Sequence, residues 1–253
     1  MALLRVPVHH LAIGESALDV DASKYLLRVH RLARGKGFVA FDPSDALEAD
    51  AQLIDVRRGV AYCRFAEPRA STSVPVEPLT LVQAFAKNDK VDQVIRDATC
   101  LGATRLVVAQ TDRSVVKVSL DRKHSRRERW LKIAVQAARQ CGRGNIPEIV
   151  GPIPWSAVGD QLKDVRPYKV VLEPAADRTL ASYVRSPEDR VRAVIVGPEG
   201  GWSPQELAAA VNWGALPARF GSLVLRSEIA TCAVLGALLL LDQGREATGF
   251  GSS

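Results

Sequence analysis

The chain has 253 residues, of which 47% are hydrophobic and 25% charged, and its net charge is +6. These values suit a globular protein of one or two domains and exclude disordered, collagen-like and coiled-coil readings. The basic surplus points to an anionic partner without identifying it.

The N-terminus, Met1 to Pro7, lacks the basic flank and apolar run of a signal peptide. The next sixty residues read as β-rich. Tyr25 to Leu32 suits a helical turn, and Gly37 to Phe41 is a short apolar strand stopped by Asp42-Pro43-Ser44-Asp45. Gln52 to Val56 and Val60 to Phe65 flank the hairpin-like turn Arg57-Arg58-Gly59. So many short strands suggest a small barrel over residues 1–72. The polar, proline-bearing stretch Glu67 to Pro75 marks a domain boundary.

From Leu79 the rhythm becomes strand, helix, strand. Leu79 to Phe85 reads as a strand, and Val91, Val94, Ile95, Ala98 and Leu101 recur at helical spacing before the stop at Gly102. Arg105 to Ala109 is a buried strand, and Trp130 to Gln140 is a helix with Ile133, Ala134 and Ala137 on one face. Ile146 to Val150, Tyr168 to Leu172 and Ala193 to Val196 are further strands. This alternation predicts an α/β domain with a largely parallel sheet over residues 77–245, followed by a frayed tail from Gly244. The longest apolar run, Ile229 to Leu241, is shorter than the roughly 20 residues that span a bilayer, so a cytoplasmic, membrane-free protein is expected. Cys63, Cys100, Cys141 and Cys232 form no metal-spaced cluster, so reduced thiols and no metal site are expected.

Three segments could carry chemistry. The stretch from Arg113 to Asn145 has a local charge of +8, where a merely solvated helix would mix signs, and a phosphate backbone would offset such charge. In Val194 to Glu206 a buried strand ends in Gly197-Pro198-Glu199-Gly200-Gly201 and enters a helix with Ser203 as N-cap, Pro204 in its first turn and Glu206 completing a capping box. Glycines there permit close backbone approach by a ligand, although a tight turn alone also explains them; GxGxxG and P-loop patterns are absent. Phe220 to Thr231 places Arg226 and Glu228 in an otherwise apolar stretch, either as an ion pair or as a polar cluster at a pocket mouth.

Gly197 to Ser203 and Leu225-Arg226-Ser227-Glu228-Ile229-Ala230 resemble the paired C-terminal motifs of the RsmE family, the 16S ribosomal RNA uridine N3-methyltransferases of the SPOUT superfamily. Lys90 to Gly102, Thr111 to Val116, Arg129 to Arg143 with Pro147-Glu148, and Val29 to Leu32 with Gly35 are similar to earlier family elements, in the same order. The chain departs from the family pattern at Cys100, Ala138, Arg139, Ser227 and Ile229; the last removes a hydroxyl.

The resemblance implies a PUA-like β-barrel followed by a SPOUT methyltransferase domain with a C-terminal trefoil knot, active as a homodimer on 16S ribosomal RNA of the small subunit. S-adenosyl-L-methionine would touch Leu172, Glu173, Val196, Gly197, Gly200, Gly201, Ser222, Leu223, Leu225 and Ala230. Arg226 and Glu228 would be catalytic, with Glu228 orienting Arg226 or accepting a proton. Arg28, Arg31, Arg113, Arg139 and Arg143 would hold RNA. The alternatives are a catalytically inactive RNA-binding protein and a SPOUT ribose 2′-O-methyltransferase.

Overall fold

The computed structural model describes residues 4–85, 88–114, 120–184 and 190–248. The contacts divide the chain into two units, residues 1–74 with 134–146, and residues 75–133 with 147–253.

The first unit is built on a six-stranded sheet. Its strands are β1 (Arg5–Pro7), β2 (Gly14–Ala17), β3 (Gly37–Asp42), β4 (Leu47–Arg57), β5 (Val60–Phe65) and β6 (Arg69–Ala70). They run in the order β1-β3-β4-β5-β2, with β6 on β4. Each turn has a local cause. Ser44 N donates to Asp42 Oδ1 at 2.9 Å, so the aspartate closes the chain on itself after β3. Arg58 and Gly59 both hold positive φ, 50° and 80°, as a two-residue hairpin between β4 and β5 requires. The helical turn expected over Tyr25 to Leu32 is a π-helical turn over Tyr25–Val29, and a short helix α1 (Val20–Lys24), capped by Asp19, precedes it. Val6, Leu26, Phe38, Ala40, Leu53 and Phe65 share one buried core.

Residues 134–146 join this unit, although from sequence they fall in the second domain. Gly144 explains how tightly they are held. Its N–H donates to the Ser73 carbonyl at 2.8 Å, and a Cβ there would lie 2.0 Å from Ser71 Oγ. That hydroxyl in turn donates to buried Glu48 at 3.1 Å, and Glu48 also meets Arg5 at 3.1 Å.

The second unit carries six parallel strands, β7 (Thr80–Ala84), β8 (Arg105–Gln110), β9 (Glu148–Pro154), β10 (Tyr168–Leu172), β11 (Val191–Val196) and β12 (Ala215–Ala218). Their order is β12-β10-β11-β7-β8-β9. The helices are α2 (Asn88–Cys100), α3 (Leu120–Cys141), α4 (Val158–Leu162), α5 (Pro204–Asn212) and α6 (Ser227–Thr248). β7 and β11 are buried along their whole length, as central strands covered on both faces should be. Gly102, at φ 84°, ends α2 with paired bonds from Gly102 N to the Thr99 carbonyl and from Ala103 N to the Ala98 carbonyl.

Three expectations shift. α3 begins ten residues before Trp130, because its first half is charged and shows no apolar stripe although Arg and Lys favour helix. α6 continues through Thr248, so the tail from Gly244 is helical there rather than frayed. β12, with sequence Ala-Leu-Pro-Ala, has no strand signature; its proline is tolerated at a sheet edge. Among the described residues no helix is long and apolar enough to cross a membrane.

Gly144→Ala is expected to force Ser71 off Glu48 and to destabilise the first unit by about 1–3 kcal/mol, the usual cost of overpacking. A thermal melt at or above the parent midpoint would contradict that.

Candidate functional site

At the carboxyl ends of β10, β11 and β12, three loops enclose a cavity of about 480 Å³, a size suited to a small-molecule ligand. Leu172 ends β10 and Glu173 and Pro174 follow it, and Gly197, Pro198, Glu199, Gly201 and Trp202 follow β11. The third wall is the irregular stretch from Ala218 to Arg226, with Ser227 and Ala230 opening α6. A ligand outside the carboxyl ends of parallel strands is the general expectation for open α/β sheets.

Side chains behind this cavity fix the loops. Trp202 is buried and its indole N–H donates to the Leu172 carbonyl at 2.9 Å, so the loops after β10 and β11 move together. Gly197 must lack a side chain, because a Cβ there would lie 2.9 Å from the Trp202 ring. Gly201 turns the chain at φ 70°, which strains any L side chain. Ser203 and Glu206 form the capping box of α5. Glu206 also accepts from Asp112 N at 2.7 Å, while Ser203 Oγ donates to Asp112 at 3.0 Å.

A second network holds the third wall. Ser227 Oγ donates to the Gly197 carbonyl at 2.8 Å and accepts from Gln83 Nε2 at 2.8 Å. Thr231 Oγ1 donates to Gln83 Oε1 at 2.7 Å. All three side chains are buried. They tie β7, the loop after β11 and the first turn of α6 into one polar cluster.

The predicted cofactor residues Leu172, Glu173, Val196, Gly197 and Gly201 line this one cavity, as do Ser222, Leu223, Leu225 and Ala230. Gly200 lies in the same turn without lining it. Ile229, where the chain lacks the family hydroxyl, is exposed and also stands outside the lining. Trp202 and Phe220 lie within segments read from sequence but were given no role there, and Arg219 was not singled out, since nothing in the spacing of the irregular third wall marks it.

Arg226 and Glu228 separate. Arg226 is exposed at the cavity wall, and its side chain makes no hydrogen bond or ion pair with a described residue. Glu228 does not line the cavity and does not orient Arg226. Its partner is Lys90, whose ammonium lies 2.7 Å from Glu199 and 3.3 Å from Glu228, the second contact being an ion pair without hydrogen-bond alignment. The hydrogen bond to Glu199, with a further contribution from Glu228, holds Lys90 above the usual lysine range. A helix periodicity in which Arg226 precedes the first turn and Glu228 sits inside it explains the split.

The basic run is less available than its charge suggests. Arg143 is only 4% exposed, with Nε donating to Asn145 at 2.7 Å, so it is not a surface contact for phosphate. Arg139 stacks on Tyr25, 3.7 Å from the ring centre, and Tyr25 in turn meets His30 at 2.6 Å. Arg129 pairs with Asp92, and Arg127 donates to the Ile149 carbonyl. Arg28, Arg31 and Arg113 are exposed, although Arg113 also donates to the Gly200 carbonyl at 2.7 Å. Lys117 lies outside the described residues, as do Val115 and Val116 of the family-like motif. Among the described residues no group of three His, Cys, Asp or Glu side chains could hold a metal.

Residues 72–239 match the family model of the RNA methyltransferase domain. The chain is 29% identical over 238 residues to the ribosomal RNA small subunit methyltransferase E of Mycobacterium tuberculosis, covering 92% of this chain and 89% of that protein. It is 28% identical over 216 residues to the protein of the same name from Synechocystis, covering 85% and 69%. Among solved structures, a Legionella pneumophila protein described as a methyltransferase in complex with SAM superposes with a TM-score of 0.84 at 27% identity, over 95% of this chain and 98% of that one. A ribosomal RNA small subunit methyltransferase E from Neisseria gonorrhoeae, bound to S-adenosyl methionine, shares the fold with a TM-score of 0.81 at 23% identity, over 94% and 98%.

Ser227→Ala should take the hydroxyl donor from the Gly197 carbonyl and one of its two acceptors from Gln83 Nε2, which keeps the Ala84 carbonyl at 3.3 Å. Leaving buried polar groups unsatisfied costs about 1–3 kcal/mol each, so chemical denaturation should report a clear loss. Unchanged stability would mean the cluster does not hold the third wall.

Proposed function

As the chain belongs to the RNA methyltransferase domain family, we propose that it is an S-adenosyl-L-methionine-dependent methyltransferase that modifies N3 of a uridine in 16S ribosomal RNA. The observation that carries this is the single cavity formed by the three loops, with Arg226 exposed in its wall. The residues fit the cofactor. Glycines and small residues open the backbone of the walls, Trp202 supplies apolar surface, and Glu173, Glu199, Arg219 and Arg226 provide both signs of charge for a ligand that carries both.

When bound, S-adenosyl-L-methionine supplies an electrophilic methyl group; the protein supplies position and electrostatics. Leu172, Gly197 and Gly201, with Ser222 to Leu225, would hold the cofactor, largely by backbone. The uridine imide must pass its N3 proton to solvent water as the new bond forms, and the deprotonated imide carries negative charge on O2 and O4. Arg226 is the cation placed to meet that charge. Glu228, committed to Lys90, holds the start of α6 instead of acting on the base. The base must be unpaired or flipped to reach a recessed site. Arg28 and Arg31 would hold the RNA backbone from the first unit.

In the same reading the first unit is a PUA-like barrel, since one core gathers residues from β1, β3, β4 and β5. The C-terminal part is a trefoil knot, in keeping with a segment after β12 that shares a cavity with the loop after β11. A second copy of the chain covers the exposed apolar side chains Leu223, Val224, Ile229, Leu240 and Leu241, making a homodimer.

The direct test is nucleoside mass spectrometry of ribosomal RNA from cells with and without the protein. N3-methyluridine should vanish from 16S RNA in its absence; an unaltered spectrum would refute the assignment. Gly201→Val should fold yet lose cofactor binding in calorimetry, because valine strongly resists φ 70°. Arg226→Ala should lower the single-turnover rate about 10²–10³-fold with little change in melting temperature. Lysine should rescue partly, since it lacks the planar fork.

A further inference from the structure

Arg113 belongs to the basic run, yet its guanidinium is tied to the glycine turn beside the cavity. Nη1 donates to the Gly200 carbonyl at 2.7 Å. The side chain lies along the glycine turn, for a Cβ on Gly200 would meet Arg113 Cβ at 3.2 Å and Cδ at 3.5 Å. The neighbouring Asp112 is bound on both sides of its backbone and side chain by Glu206 and Ser203, at 2.7 and 3.0 Å. Residues 111–114 are thus docked on the turn that closes the cavity. Even so, Arg113 is exposed, and of its five N–H donors only the one on Gly200 is engaged by a described residue.

We propose that Arg113 couples RNA binding to cofactor binding, one edge of its guanidinium holding the Gly200 carbonyl and the other taking an RNA phosphate. The inference rests on the methyltransferase reading above. Gly200 and Gly201 give the turn more freedom than any other residues would, and a ligand that needs the turn fixed must bear that ordering entropy. A phosphate on the outer edge immobilises the guanidinium and, through it, the carbonyl. The second ligand then meets a turn already ordered and binds more tightly. By linkage the effect is reciprocal, so cofactor also tightens RNA by the same factor. The methyl donor is thereby retained best when a substrate is present.

The measurement is equilibrium dialysis of radiolabelled S-adenosylhomocysteine, an unreactive stand-in for the cofactor, with and without saturating 16S ribosomal RNA. In the parent protein RNA should tighten the ligand about fivefold or more, the lower end of common coupling strengths. In Arg113→Ala the ratio should fall to within about twofold of one, whatever happens to either affinity alone; Arg113→Lys should lie between. A purely structural role would alter affinities but not their ratio. If the alanine protein does not fold, Arg113→Gln keeps the stem and carries the same expectation. A parent ratio of one, or an equal ratio in parent and variant, overturns the coupling while leaving the methyltransferase reading intact. A parent protein that binds neither ligand overturns both.

Discussion

Gln83, Ser227 and Thr231 hold the cavity-bearing end of the second unit in place. Their hydrogen bonds are buried, where an unmet polar group is costly and a met one is strong. The same cluster reaches the Gly197 carbonyl, so the glycine turn and the start of α6 are fixed against a central strand. Arg226 is the residue immediately before this anchored point. Its backbone carbonyl accepts from Ala230 at 2.8 Å, while its side chain is left exposed at the cavity. A charged side chain with no partner among the described residues is thus set on a rigid base, which is the arrangement electrostatic stabilisation of a ligand needs.

Charge in the rest of the chain is handled differently. Lys90 spans two carboxylates, Arg129 faces Asp92, and Arg143 is buried against Asn145. These three cations therefore serve the architecture. Of the five arginines expected to hold RNA, Arg28 and Arg31 on the first unit and Arg113 on the second are exposed, while Arg139 is half-buried and Arg143 buried. Arg31 sits at φ 49°, an uncommon conformation for a side-chain-bearing residue, just after the π-helical turn. Such features gather where a surface is shaped for contact.

Most of the fold was legible because its signals are local. Alternating strands and helices, the capping box at Ser203 and the stop at Gly102 follow from neighbouring residues. The cavity-lining residues were legible through motif resemblance, and the glycine turn through its composition. Four things were not. β12 is held by its neighbour β10 and not by its own sequence. The first half of α3 hides its helicity under charge. The partner of Glu228 is Lys90, far away in sequence, and two charges one residue apart invited the wrong pairing with Arg226. Likewise the burial of Arg143 depends on a docking of residues 134–146 that no local pattern encodes.

The position of Trp202 has an optical consequence. Its ring lines the cavity, and its centre lies 4.8 Å from that of Trp155, which lies 4.9 Å from Trp213. Three of the chain's four tryptophans thus form one array, with its outer member touching the ligand space. Excitation absorbed by any of them is shared, so a purine ring entering the cavity would quench the emission of the group rather than of one residue. The protein carries a built-in fluorescent gauge of its own occupancy, and no label is needed to read it.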